Sequence, residues 1–193
     1  MFLTALADPN PVIFLESFLE SRQMTAITGP VPEEMYQLSM GQASILREGE
    51  ELTIIAIGPL IQLVLAAAKS LEKSDGISLE VIDPVCPQPL DIKRLASSIR
   101  KTRRLIIVDQ AVTFGGVGAE IASQIVEQCF NHLQAPIVHL GAPFSPPPFS
   151  LGIPTKLAID HRRSERVVGS IDLLTISPAA KGYENRWANG YQG

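Results

Sequence analysis

The run LTIIAIGPLIQLVLAAAKSLEKSDGISLEVID, Leu52 to Asp83, decides the fold. Its first six residues, Leu52 to Ile57, are almost wholly apolar and rich in β-branched side chains, the pattern of a strand covered on both faces in a parallel sheet. Gly58 and Pro59 end that strand. Leu60, Val64, Ala67, Ala68 and Leu71 then recur at helical spacing, and Lys69 and Lys73 put positive charge in the last turns, where the helix dipole favours it. Asp75 and Gly76 close the helix, and Ser78 to Ile82 reads as strand again. The run Leu52 to Ala68 is apolar, but Thr53, Gly58, Pro59 and Gln62 interrupt it before the roughly 18 residues that a bilayer crossing requires.

The alternation continues toward the carboxyl terminus. Asp83 to Pro89 is a proline-punctuated loop, and Asp91 is a candidate N-cap for a helix that buries Ile92, Leu95, Ala96 and Ile99. Arg100, Lys101, Arg103 and Arg104 cluster at its exit. Leu105 to Val108 is a strand, followed by a glycine-bearing turn and a helix from about Val117 to Phe130 along the line Val117, Ile121, Ile125 and Cys129, flanked by Ala122 and Val126. Ile137 to Leu140 is the last strand, and it enters a loop where Pro143, Pro146, Pro147 and Pro148 forbid regular structure. Strands alternating with helices at this spacing predict an α/β fold of three layers, a mostly parallel sheet with helices on both faces. Beyond Ser150, His161 to Leu174 fits a helix, whereas Lys181 to Gly193 is polar and glycine-bearing. Toward the amino terminus, Val12 to Leu15 reads as a short strand after the turn-formers Asp8 to Pro11. Ser21 to Gln37, with Gly29, Pro30 and Pro32, reads as a linker. The main domain is expected over 38–175, with a disordered tail over 176–193.

Composition narrows the function. The 193 residues are 46% hydrophobic, enough for one sizeable core plus a modest appendage. A formal charge of −4 lacks the basic excess that a phosphate backbone demands, which argues against nucleic acid as a partner. Cys86 and Cys129 lie far apart with no CxxC or spaced histidine, so they are read as reduced packing residues of a cytoplasmic-type compartment. Met1 to Ala7 is too short and too uncharged for a signal peptide, and no membrane association is expected.

Chemistry-bearing patterns are sparse. The turn Thr113, Phe114, Gly115, Gly116, Val117, Gly118 stands between a strand and a helix, where backbone amides can face an anion. It matches neither GxGxxG nor the Walker pattern, and its glycines equally serve a tight turn and close helix packing. Asp83 and Asp109 both end predicted strands at the carboxyl edge, where open α/β sheets place ligands, although most such residues cap or turn the chain. His132, His139 and His161 have no nucleophile signature near them, Cys86 has no basic neighbour, and the basic cluster after Ile99 reads as a solvated helix end. The tentative anion or interface site is therefore Asp83, Gln110, Thr113, Phe114, Gly115 and Gly116. No catalytic, cofactor-binding or metal-ligating residue is assigned.

In order, five strings resemble one family: DPNPVIFLES at Asp8 to Ser17, REGEELTIIAIG at Arg47 to Gly58, LEVIDPVCPQPLD at Leu79 to Asp91, SIRKTRRLIIVDQA at Ser98 to Ala111, and GGVGAEIASQIVEQCFNHLQAPIVHLGAP at Gly115 to Pro143. They are similar to the beta subunit of the thiamine diphosphate-dependent decarboxylating component of 2-oxo acid dehydrogenases, of pyruvate and branched-chain types, and more broadly to the transketolase carboxyl-terminal domain. The resemblance implies that residues 1–37 hold the last strand of a missing pyrimidine-binding domain and a linker. It also implies that the glutamate activating the cofactor lies on that missing half. Thiamine diphosphate and Mg then belong to the complete enzyme and not to this chain, which is expected to be inactive alone. What remains is implied to be a subunit-interface and docking domain of a homodimer or an alpha/beta heterotetramer, with a lipoyl-bearing acyltransferase core as a further partner.

The chain departs from the family pattern at Asp83, Pro84, Val85, Cys86, where Asp, a variable residue, Arg and Thr are usual, and at Gln110, where glutamate is usual. It departs again at Gly141 to Ser145 and around Gly152 to Lys156. A split gene product and a degenerate copy both fit. The alternatives are a stand-alone module for a small anion, or the carboxyl-terminal domain of a transketolase or deoxyxylulose phosphate synthase, which shares the step Pro89, Leu90, Asp91.

Overall fold

The computed structural model describes residues 2–14, 33–34, 36–142 and 144. Helix α1, Phe2–Ala7, precedes the sheet domain. Strand β1 is Ser44–Arg47, β2 Leu52–Ala56, β3 Leu79–Asp83, β4 Leu105–Val112 and β5 Val138–Ala142. Helices α2 (Leu60–Asp75), α3 (Ile92–Thr102) and α4 (Val117–Cys129) connect the parallel strands, and a single 3-10 turn, Phe130–His132, follows α4. The strands lie in the order β1-β3-β2-β4-β5, with β1 antiparallel to β3 and the other pairs parallel. The expected three-layer, mostly parallel architecture is the observed one.

Period-two alternation sends the two halves of β2 to opposite helix layers. Leu52, Ile54 and Ala56 pack with Leu60, Val64, Ala68 and Leu71 of α2, whereas Ile55 packs with Leu95 and Ile99 of α3 and Ile121 and Ile125 of α4. All five residues of β2 are buried. Each such Leu or Ile contributes roughly 1.5–3 kcal/mol on leaving water. Handedness explains why α2 stands alone on its face: the chain moves one way along the sheet from β2 to β3 and the other way from β3 through β4 to β5. Right-handed crossovers then require opposite faces.

Local signals behave as the sequence indicates. Gly76 closes α2 in the left-handed conformation, φ 70°, with its amide bonded to the Glu72 carbonyl. Asp91 caps α3 by accepting from the Arg94 amide. Three expectations change. Strand β1 is additional, and β4 runs on to Val112 where its end was expected at Val108, because Val112 pairs with Ala142 beyond an irregularity in the ladder. Val12 to Phe14 form no strand: β1 already pairs with β3 at one edge of the sheet, and the segment follows α1, whose Thr4 hydroxyl donates to the Leu38 carbonyl at 2.8 Å. Leu15, most of the linker, the candidate helix His161 to Leu174 and the tail 176–193 lie outside the described residues.

Candidate functional site

Strands β2 and β4 are neighbours, yet the chain leaves β2 toward the α2 layer and β4 toward the α4 layer. Their carboxyl ends therefore flank the kind of crevice where open α/β sheets bind ligands. Gln110, Thr113, Phe114, Gly115 and Gly116 all fall at the end of β4 beside it. Asp83 ends β3 on the far side of β2, two strand spacings or roughly 10 Å from β4. The six predicted residues thus share one sheet edge but form two clusters.

In the β4 cluster, Gly115 has φ +68°, a conformation that side-chain-bearing residues rarely adopt. Gly116 has an extended backbone, and its glycine is required by contact: a Cβ there would lie 2.4 Å from the Val112 carbonyl oxygen. The Thr113 amide donates to the Ala142 carbonyl at 3.1 Å, tying the turn to β5. Phe114 and Phe144 meet edge to face with centroids 5.2 Å apart, and both are largely exposed. The amino end of α4 already has an anion. Asp109, buried, accepts from the Ala111 amide at 3.0 Å and from the Gly118 amide at 3.4 Å. A free phosphate or carboxylate would compete there with a covalently attached group of the same sign.

In the β3 cluster, Asp83 accepts from the Val85 amide at 2.8 Å. Burial pushes its carboxyl above the ordinary value, with that hydrogen bond pulling the other way. Val85 has φ 58°, a strained setting for a β-branched residue. Cys86 is buried, and its thiol donates to the Gln88 carbonyl at 3.0 Å.

Sequence reasoning missed the meeting of His139, Asp109 and Gly118. His139 pairs with Ile107 in the β4–β5 ladder, so it faces the same layer as Asp109 two residues further on. Its Nε2 is buried without a partner, and burial lowers its pKa while the Asp109 charge opposes that shift. A Cβ on Gly118 would lie 2.2 Å from that nitrogen. Only the strand order could reveal this cluster, since 30 positions separate the two side chains in the sequence. Among the described residues no three of His, Cys, Asp or Glu gather as a metal site, and no helix is long and apolar enough to cross a membrane.

Residues 41–159 match the family described as transketolase, C-terminal domain. The chain is 40% identical over 159 residues to the pyruvate dehydrogenase E1 component subunit beta of Rickettsia felis, covering 82% of this chain and 47% of that protein. It is 38% identical over 150 residues to the same subunit of Bacillus subtilis, covering 78% and 45% respectively. The chain thus spans less than half the length of these relatives. Among solved structures, a split gene transketolase described as an inactive beta4 tetramer superposes with a TM-score of 0.56 at 26% identity, covering 72% of this chain and 45% of that one. By the match over 41–159 and the parallel sheet with helices on both faces, this chain belongs to the transketolase C-terminal domain family, and over that domain it is similar to the beta subunits of 2-oxo acid dehydrogenases.

Proposed function

We propose that this chain is the subunit-interface and docking domain of a 2-oxo acid dehydrogenase-like assembly, in which a partner supplies the thiamine-binding half. The observation that carries the reading is the amino-terminal surface. Phe2, Leu6, Val12, Ile13 and Phe14 are 55%, 66%, 48%, 87% and 42% exposed, a grouping of large apolar side chains that marks a contact surface on a water-soluble domain. Two kinds of relative support it: beta subunits of the pyruvate dehydrogenase E1 component, about twice as long as the matched region, and a split transketolase named as a beta4 tetramer.

Thiamine diphosphate and Mg belong, on this reading, to the assembled enzyme, whose substrate would be pyruvate or a branched-chain 2-oxo acid. On the same reading Asp83 and Asp109, whose carboxylates accept from backbone amides at the sheet edge, hold the turns that follow β3 and β4. Homodimer, alpha/beta heterotetramer and attachment to a lipoyl acyltransferase core are the assemblies this surface would serve, in the cytoplasm. The test is light scattering on the full chain from 1 to 100 µM, alone and mixed with a pyruvate dehydrogenase alpha subunit and the amino-terminal half of a beta subunit. Self-association or capture of that half supports the proposal. A monomer throughout, with no capture, overturns it.

A further inference from the structure

One side of α4, toward the segment that leads into β5, is apolar and open. Ala119, Ala122, Val126 and Phe130 recur at helical spacing and, with Ala135 and Ile137, wall a groove of about 850 Å3. Val126 is 40% and Phe130 70% exposed. The charged residues of α4 are Glu120 and Glu127, both acidic, and Glu127 lines the groove. This charge pattern selects the occupant. A second copy, packed by a twofold axis with the α4 helices antiparallel and crossing near Ser123, would bring Glu127 of one helix beside Glu120 of the other. Like charges facing across an interface oppose that pairing.

A basic amphipathic segment suits the groove, and this chain carries one outside the described residues. In HRRSERVVGSIDLL, His161 to Leu174, the apolar positions Val167, Val168, Ile171 and Leu174 stand at i, i+1, i+4 and i+7, and the three arginines at the amino end, Arg162, Arg163 and Arg166, outnumber the acids Glu165 and Asp172. We propose that residues 161–174 of the same chain dock in the α4 groove, apolar side inward and arginines toward Glu120 and Glu127. As a helix the segment would run about 21 Å, against about 20 Å for the 13 residues of α4. The chain from Phe144 to His161 can extend over as much as ~55 Å, ample to bring the two together. Tethering sets an effective concentration on the order of millimolar, which favours the intrachain contact over a second copy at micromolar concentration.

Cysteine trapping in the full chain tests this. With Val126→Cys and Ile171→Cys together, mild oxidation is expected to yield monomers carrying an intrachain disulfide, located by peptide mapping. Cys86 and Cys129 are buried and serve as silent controls. Glu127→Lys should slow trapping several-fold, and Arg163→Glu with Arg166→Glu should restore it. Disulfides formed only between chains would assign the groove to a second copy and overturn the proposal. So would no disulfide at all, or trapping indifferent to the charge at 127.

Discussion

Gly118 stands at the first turn of α4 directly against the His139 imidazole, closer than any methyl group could approach. Its glycine is required by this contact and not by its backbone angle, so Gly118→Ala must move the ring or the helix end that Asp109 holds. Overpacking of this kind costs typically 1–3 kcal/mol. A midpoint shift in urea unfolding of that size is expected, smaller if His139→Ala is made in the same chain. His139 also predicts a pH dependence. The unfolded ring takes a proton near its ordinary 6.5, whereas burial holds the folded ring below that, so between the two values the unfolded state carries more protons. The stability present above pH 6.5 is lost as pH falls through the folded value. Urea midpoints measured from pH 7.5 to 5 should decline on the acid side, and His139→Leu should flatten that decline. The alternation of Val138, His139 and Leu140 marked a strand, but a lone histidine in a strand carries no mark of what the neighbouring strand sets beside it.

At the amino edge of the sheet, three elements share one buried polar junction. Glu80 of β3 is 0% exposed and is bonded by Lys101 of α3 at 2.5 Å. The Thr53 hydroxyl of β2 lies 3.4 Å from the same carboxylate and 2.6 Å from the Thr102 hydroxyl. Hydrogen bonding to Glu80 raises the Lys101 pKa, with burial opposing, and Glu48 and Glu50 add to the rise from outside. Removing the lysine would leave a buried carboxylate without its cation. Loss of one partner of a buried pair costs about 3–5 kcal/mol, and because Lys101 is one-third exposed the lower end is expected for Lys101→Met. Glu80→Gln in the same chain should recover at least half of it, since the amide carries no charge to strand. Failure of the double variant to recover would show that Lys101 acts through packing of its stem. The sequence reading treated the basic cluster after Ile99 as a solvated helix end. Arg100, Lys101 and Arg103 are indeed exposed, but the Lys101 ammonium also reaches the buried Glu80 carboxylate, an acid that the sequence does not place beside it. The helices and central strands were legible because burial on one or both faces imposes a period on the sequence. Strand β1 was not, because an edge strand of four residues with only partial burial imposes almost none.

The described residues divide into a sheet domain with a buried core and an amino-terminal segment whose large apolar side chains stay exposed. Strands β2, β3 and β4 are buried over most of their length, whereas in β5, at the sheet edge, only Val138 is buried. The segment Phe2 to Phe14 has the opposite character. Phe2 and Phe14 meet edge to face at 5.3 Å, yet Leu6 and Ile13 point into water, so the local packing leaves most of the apolar surface unused. The apolar run from Val12 reads as a strand in the sequence, but Val12 to Phe14 pair with no strand among the described residues, and an apolar run without a ladder to join leaves its side chains in water. This separation makes the docking proposal testable without disturbing the fold. Leu6→Glu together with Ile13→Asp should leave the unfolding free energy within about 0.5 kcal/mol, as surface substitutions do. The same pair should weaken association with the amino-terminal half of a beta subunit by tenfold or more, because two charges would enter an apolar contact, where roughly 1.4 kcal/mol already equals a factor of ten. Equal affinity in the double variant, at unchanged stability, would move the docking surface elsewhere on the chain. Loss of stability in step with affinity would instead make Leu6 and Ile13 part of the core that the sheet domain builds for itself.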